Sequence, residues 1–160
     1  MTENELGTNR RRAEVDVDEA PLTRAILEAH PEMWPRIGSF VPASWDEEIA
    51  RALQAIMALA VETGVKIRVA QIKSKLAGLR LYLDIDEKSA GPIEFVDSTP
   101  ISTRLRSSSK QGSVRERATA IVDAAADRCE TRCELCGAPG TFRNESGWLR
   151  IACSAHSRTD

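Results

Sequence analysis

The sequence predicts an α+β protein: two amphipathic helices packed on a small antiparallel sheet, followed by a cysteine-bearing C-terminal hairpin. Three observations predict it. Apolar residues recur at helical spacing after Ser44 and again after Ser113. Between them the period falls to two. All four cysteines lie in the last 32 residues.

The chain has 160 residues, enough for one domain and a small appendage. A hydrophobic content of 42% supplies one modest core, and 29% charged residues fit a soluble protein. No apolar run approaches the roughly 20 residues that span a bilayer. The first residues lack the basic-then-apolar order of a signal peptide. The expected location is therefore cytoplasmic, with no membrane partner. The net charge of −2 is uneven: residues 1–60 carry six Lys/Arg against eleven Asp/Glu, and residues 101–160 carry ten against seven. That balance excludes a polybasic nucleic-acid binder by composition and leaves only a local patch for such a role.

Residues 1–20 are polar and aperiodic and are expected to be a disordered tail, with Arg10-Arg11-Arg12 followed by the acidic stretch Glu14 to Glu19. An α+β core is expected over residues 21–98. Leu22 to His30 reads as a short helix stopped by Pro31. The following loop contains Met33, Trp34, Ile37, Phe40 and Trp45, too apolar to be left fully in water. These residues either drape over the core or form an aromatic docking patch. Ser44 and Glu47 have capping-box spacing and are expected to open the main helix. Its apolar stripe is Ile49, Leu53, Ile56, Met57, Ala60 and Val61, and Gly64 supplies a left-handed stop. Val65, Ile67 and Val69, then Leu79, Leu81, Leu83 and Ile85, alternate with polar residues as two half-buried strands. The link from Lys73 to Gly78 makes an antiparallel hairpin of them. Ile93 to Val96 is a candidate third strand. Residues 99–112 turn basic and Ser-rich and are expected to be a flexible loop. A second capping box, Ser113 with Glu116, opens a helix over residues 113–132, with Val114, Ala118, Ile121, Val122, Ala125 and Cys129 on one face.

The C-terminal pattern is the most specific. Cys133 and Cys136 form a C-x2-C hook, and after sixteen intervening residues Cys153 and His156 form a C-x2-H hook. Two tight turns, each aiming two soft ligands at one point across a hairpin-length spacer, fit a tetrahedral Zn²⁺ site. Gly137 suits the first turn. Thr141 to Arg143 and Trp148 to Ile151 flank a turn at Gly147, giving a zinc-ribbon-like hairpin over residues 133–157. Four ligands leave no open position, so the one zinc ion is expected to be structural. Cys129 is a spare thiol expected to pack as a small apolar group.

Lys66, Arg68, Lys73, Lys75 and Arg80 fall in a stretch without an acid. On strands, Lys66, Arg68 and Arg80 oppose the apolar face and are joined there by Tyr82. Such a patch either holds phosphates or an acidic protein surface, or is a solvated face that keeps an edge strand from pairing. His30 reads as a helix-end residue, and Asp84, Asp86 and Glu87 as an acidic turn. No phosphate loop, nucleophile elbow or Ser-His-Asp order is present.

Two segments together resemble a group of small, uncharacterised bacterial and phage-borne proteins. The first is Gln71-Ile72-Lys73-Ser74-Lys75-Leu76-Ala77-Gly78-Leu79-Arg80-Leu81-Tyr82. The second is Cys133-Glu134-Leu135-Cys136-Gly137 with Trp148, Cys153 and His156. The shared pattern is Q-[IV]-K-x-K-x-G-G-L-R-x-Y, then C-E-x-C-G and a closing C-x-x-H. The likeness covers about residues 30–85 and 115–156. This chain has Ala77 where that group has Gly, and Leu76 and Leu81 where aromatics are usual. Its 86–112 segment looks like an insertion. The resemblance implies an accessory or immunity-type role and no activity to transfer.

A closed metal site without a catalytic constellation leads to the expectation of a non-enzymatic binding or regulatory protein that works through protein contacts. Its surface would be Lys73, Lys75, Arg80 and Tyr82 beside Arg143, Trp148 and Arg150. The alternative is a nucleic-acid binder that uses the same patch with Arg104, Arg106 and Lys110.

Overall fold

The computed structural model describes residues 14–16, 20–34, 40–86, 88 and 113–157. Its elements in chain order are β1 (Glu14–Asp16), α1 (Pro21–Ala29), β2 (Phe40–Pro42), α2 (Asp46–Thr63), β3 (Lys66–Lys75), β4 (Gly78–Asp86), α3 (Val114–Cys129), β5 (Thr141–Glu145) and β6 (Trp148–Ala152). Strands β1 to β4 form one sheet in that spatial order, and β5 and β6 form a second. The α+β class is as predicted, with one correction. Among the described residues the two amphipathic helices are joined by the short helix read at Leu22 to His30, three α-helices in all. The main sheet is mixed: β2 meets β3 in parallel through Phe40 and Lys73, whereas β1–β2 and β3–β4 are antiparallel. β1 falls inside the segment expected to be a tail. The strand expected at Ile93 to Val96 and the 99–112 loop lie outside the described residues.

The core fills the space between the sheet and the helices. Leu27 of α1, Trp45, and Ile49, Leu53 and Ile56 of α2 are fully buried with Val69, Ile72 and Leu79 of the hairpin. Each such side chain contributes about 1.5–3 kcal/mol by leaving water. Met33 joins them, so the aromatic loop does drape over the core in part, while Trp34 and Phe40 stay exposed. Val61 departs from the expected stripe and is 85% exposed, because it lies about 100° around the helix from Ala60, which packs on the core. Gly64 ends α2 with φ +69, its amide donating to the Ala60 carbonyl.

The strand alternation is interrupted once. The pairing of β3 with β4 shifts register between Val69 and Gln71, a bulge at Ala70 that keeps both Val69 and Ile72 facing inward. Strand pairing then continues to Lys75 opposite Gly78, so the turn is only Leu76-Ala77, shorter than the predicted link.

Helix caps show where local rules are overridden. Ser113 and Glu116 form both halves of a capping box on α3. Ser44 and Glu47 do not: α2 starts at Asp46 with Trp45 at the cap and no side-chain cap bond. Ser44 is engaged elsewhere. Asp46 instead caps its neighbour: its two carboxylate oxygens accept from the Leu22 and Thr23 amides at 2.9 and 2.8 Å. α1 has Ala20 at its own cap position and no cap from it, so a carboxylate from α2 meets its positive end.

α2 and α3 run antiparallel and are tied at both ends. Arg117 grips Glu62 through two nitrogens at 3.0 and 2.7 Å. At the other end the buried Glu48 carboxylate meets Arg51 at 2.7 Å, Arg128 at 2.5 Å and Arg132 at 3.1 Å. Burial alone raises the Glu48 pKa, but the bond from Arg128 and the three guanidinium charges outweigh it and hold the carboxyl below its ordinary value. A depressed folded pKa stabilises the fold above the unfolded value, about 4.5, and that contribution is lost as pH falls through the folded value. Glu48→Gln is expected to cost about 2–3 kcal/mol in urea unfolding at neutral pH and about nothing once the wild-type carboxyl is protonated. An equal cost at both pH values would contradict the charge assignment.

Candidate metal centre and binding face

Cys133, Cys136, Cys153 and His156 come together, their ligand atoms all within 4.8 Å of one another, and this cluster can bind a metal ion. Cys136 Sγ lies 3.7 Å from Cys153 Sγ. His156 Nδ1 lies 3.6 Å from Cys133 Sγ and 3.3 Å from Cys153 Sγ. In a tetrahedral site with sulfur at about 2.3 Å and nitrogen at about 2.0–2.1 Å, sulfur pairs sit about 3.8 Å apart and sulfur–nitrogen pairs about 3.6 Å. The separations match that geometry. They exclude a disulfide, which holds its sulfurs at about 2 Å, and all four cysteines are free.

Each hook is a tight backbone turn. The Gly137 amide donates to the Cys133 carbonyl at 2.8 Å, with Gly137 at φ +75. The Ser157 amide donates to the Cys153 carbonyl at 2.8 Å. Between the hooks, β5 and β6 pair from Thr141–Ala152 to Glu145–Trp148, with Ser146 and Gly147 at positive φ in the turn. The hairpin therefore sets the spacing of the two hooks.

The thiols are unlike one another. Burial opposes ionisation of Cys133, but the amides of Cys153, Leu135 and Cys136 donate to its sulfur and bring its pKa down to about 6. Cys136 gains from the Ala138 amide, yet desolvation and the Cys153 and Cys133 sulfurs prevail and push it above its ordinary value. Packed thiolates repel, and a divalent cation at their centre removes that conflict. Cys129 stands outside the cluster. Burial first, and the Glu48 charge second, raise its thiol to about 12, so it is a packed core group.

Three residues hold the cluster in roles that the sequence did not indicate. Ser44 Oγ lies 3.0 Å from both the Cys133 and the Glu134 carbonyl, and docks the first hook on the start of α2. The buried Glu134 accepts from the Ile151 amide at 3.0 Å, linking that hook to β6. Gly140 allows a close approach: a Cβ there would sit 3.0 Å from the Cys133 nitrogen and 3.1 Å from the Ala152 carbonyl carbon. No local pattern signals these contacts, since every partner is distant in sequence or fixed by the hairpin.

The predicted binding residues divide between the two sheets. Lys73, Lys75, Arg80 and Tyr82 share the outer face of the main sheet: Lys73 opposes Arg80, and Gln71 opposes Tyr82. Phe40 opposes Lys73 from β2 and joins this face, 54% exposed. Lys73 Nζ sits 5.3 Å from the Tyr82 ring centroid. Lys66 and Arg68 do not extend the free positive patch as expected, because the outer face carries Asp86 opposite Lys66 and an Arg68–Asp84 pair at 2.8 Å. Arg143, Trp148 and Arg150 lie on the β5–β6 sheet. Arg143 and Trp148 are exposed there. Arg150 is committed internally, to the His156 carbonyl and to Glu145, both at 2.6 Å, so it braces the second hook. Among the described residues no helix is long and apolar enough to cross a membrane.

No protein-family model, curated protein or solved structure matches this chain.

Gly140→Ala is expected to unfold the C-terminal module or abolish its metal uptake. Gly147→Ala, where a Cβ meets nothing within 4 Å and only the φ of +88 is strained, is expected to cost about 1–2 kcal/mol and keep the site. Metal titration of the two variants checks this, and equal behaviour would contradict the close-approach argument.

Proposed function

We propose that this chain is a zinc-stabilised binding protein without catalytic activity, and that it acts by contact with another protein through the outer face of its main sheet. The observation that carries the reading is on that face. Lys73, Lys75 and Arg80 have no ion-pair partner among the described residues, and the exposed rings of Phe40 and Tyr82 lie beside them. Cations that no ion pair claims attract an acidic partner, and aromatic groups supply the apolar contact area that interfaces favour.

Zinc suits the donor set. Three sulfurs and one imidazole are soft ligands in tetrahedral array, and a four-ligand shell leaves no coordination position for a substrate. In this reading residues 133–157 form a zinc-ribbon-like unit whose metal stabilises the fold. Arg150, Glu134 and Ser44 keep the hooks in register around it. An accessory or immunity-type role, inside the cytoplasm, is consistent with the resemblance of the hairpin and hook motifs. Arg104, Arg106 and Lys110, which a nucleic-acid reading also invokes, lie outside the described residues.

Native mass spectrometry is expected to find one zinc per chain. A chelator is expected to unfold β5 and β6 while α2 and the main hairpin persist, because metal binding supplies folding energy to such modules. A metal-free chain with β5 and β6 intact would overturn the zinc reading. For the binding face, a labelled oligothymidylate at low salt is expected to give no anisotropy change. Binding that weakens steeply with salt would transfer the face to nucleic acid.

A further inference from the structure

We propose that Leu76, at the tip of the β3–β4 hairpin, is the apolar anchor of this binding face, and that the partner is an acidic protein segment with apolar side chains set among its carboxylates. This rests on the outer-face reading above and names the chemistry that the face takes.

The turn is the anomaly. Leu76 has φ +52 and Ala77 φ +61, and together they form a two-residue turn between Lys75 and Gly78. Two-residue hairpin turns with both φ values positive strongly favour Asn-Gly and similar pairs, because a Cβ is disfavoured in the left-handed region. Ala77 is buried, so its methyl group gains packing in return. Leu76 gains little: it is 65% exposed. A branched aliphatic side chain thus occupies an unfavourable backbone conformation and remains largely in water. Such outliers persist where they serve a function beyond the isolated fold.

Its surroundings identify that function. Lys75 precedes it, and Lys73 and Arg80 follow along the outer face, none paired with a described carboxylate. Phe40 and Tyr82 lie further along the same face. An apolar anchor beside cations that set orientation and encounter rate is the anatomy of a protein-contact site. A stacking platform for single-stranded nucleic acid is less well matched. Lys73 already stands over the Tyr82 ring, and an aliphatic tip offers bases no π-face.

The test uses the full chain, zinc-loaded, as bait for random peptides displayed on phage. Selected peptides are expected to be rich in Asp and Glu with interspersed Leu, Phe or Trp. Leu76→Asn is expected to raise the denaturation midpoint, since Asn tolerates the left-handed region, and yet to weaken peptide binding by about tenfold or more. Lys75→Glu and Arg80→Glu are expected to weaken it as well. If the charge reversals weaken binding and Leu76→Asn does not, the anchor is wrong while the face stands. If neither weakens it, the outer-face reading falls too. A lowered midpoint for Leu76→Asn, or selection of no acidic peptides, overturns the proposal.

Discussion

Ser44, Asp46 and Glu48, where the chain enters α2, tie α1, α3 and the first cysteine hook to that helix, and the buried carboxylate of Glu48 is their centre. It gathers Arg51 from its own helix, Arg128 from α3, and Arg132, the residue immediately before Cys133. Asp46 caps α1, and Ser44 holds the carbonyls of Cys133 and Glu134. The first hook is thus suspended from residues 44–48 on one side and from β6 on the other. Removing a carboxylate from water costs several kcal/mol, and its cation partners roughly offset that cost. The cluster therefore contributes less to net stability than to uniqueness: one placement of α2, α3 and the hook satisfies all three arginines together.

That placement bears directly on the candidate metal centre. A hook can converge on an ion only if its backbone is fixed, and two sides fix it. Gly140 lets the chain pass close to the Cys133 amide, and Arg150 binds the carbonyl of His156. The donor separations are consequently those of a tetrahedral site.

How much of this was legible in the sequence follows from the range of each interaction. The hooks were legible because C-x2-C and C-x2-H are local turns, and the hairpin between them sets their spacing. The Ser113–Glu116 capping box was legible for the same reason and forms as read. The identical spacing at Ser44 and Glu47 misled, because the Ser44 hydroxyl finds acceptors about ninety residues away that the local rule cannot see. The two-residue turn was hidden because Leu76-Ala77 has none of the chemistry such turns prefer. The Ala70 bulge and the pairing of Arg68 with Asp84 depend on cross-strand register, which alternation alone does not determine. Arg150 could not be separated from the exposed Arg143 by composition, since only the fold places the His156 carbonyl beside it.

The most direct measurement of the central claim is X-ray absorption at the zinc edge on the purified 160-residue chain. The account predicts a first shell of three sulfurs at about 2.3 Å and one nitrogen at about 2.0–2.1 Å, with no oxygen. A shell with a water oxygen in place of one of these ligands would contradict it and make the centre open to chemistry.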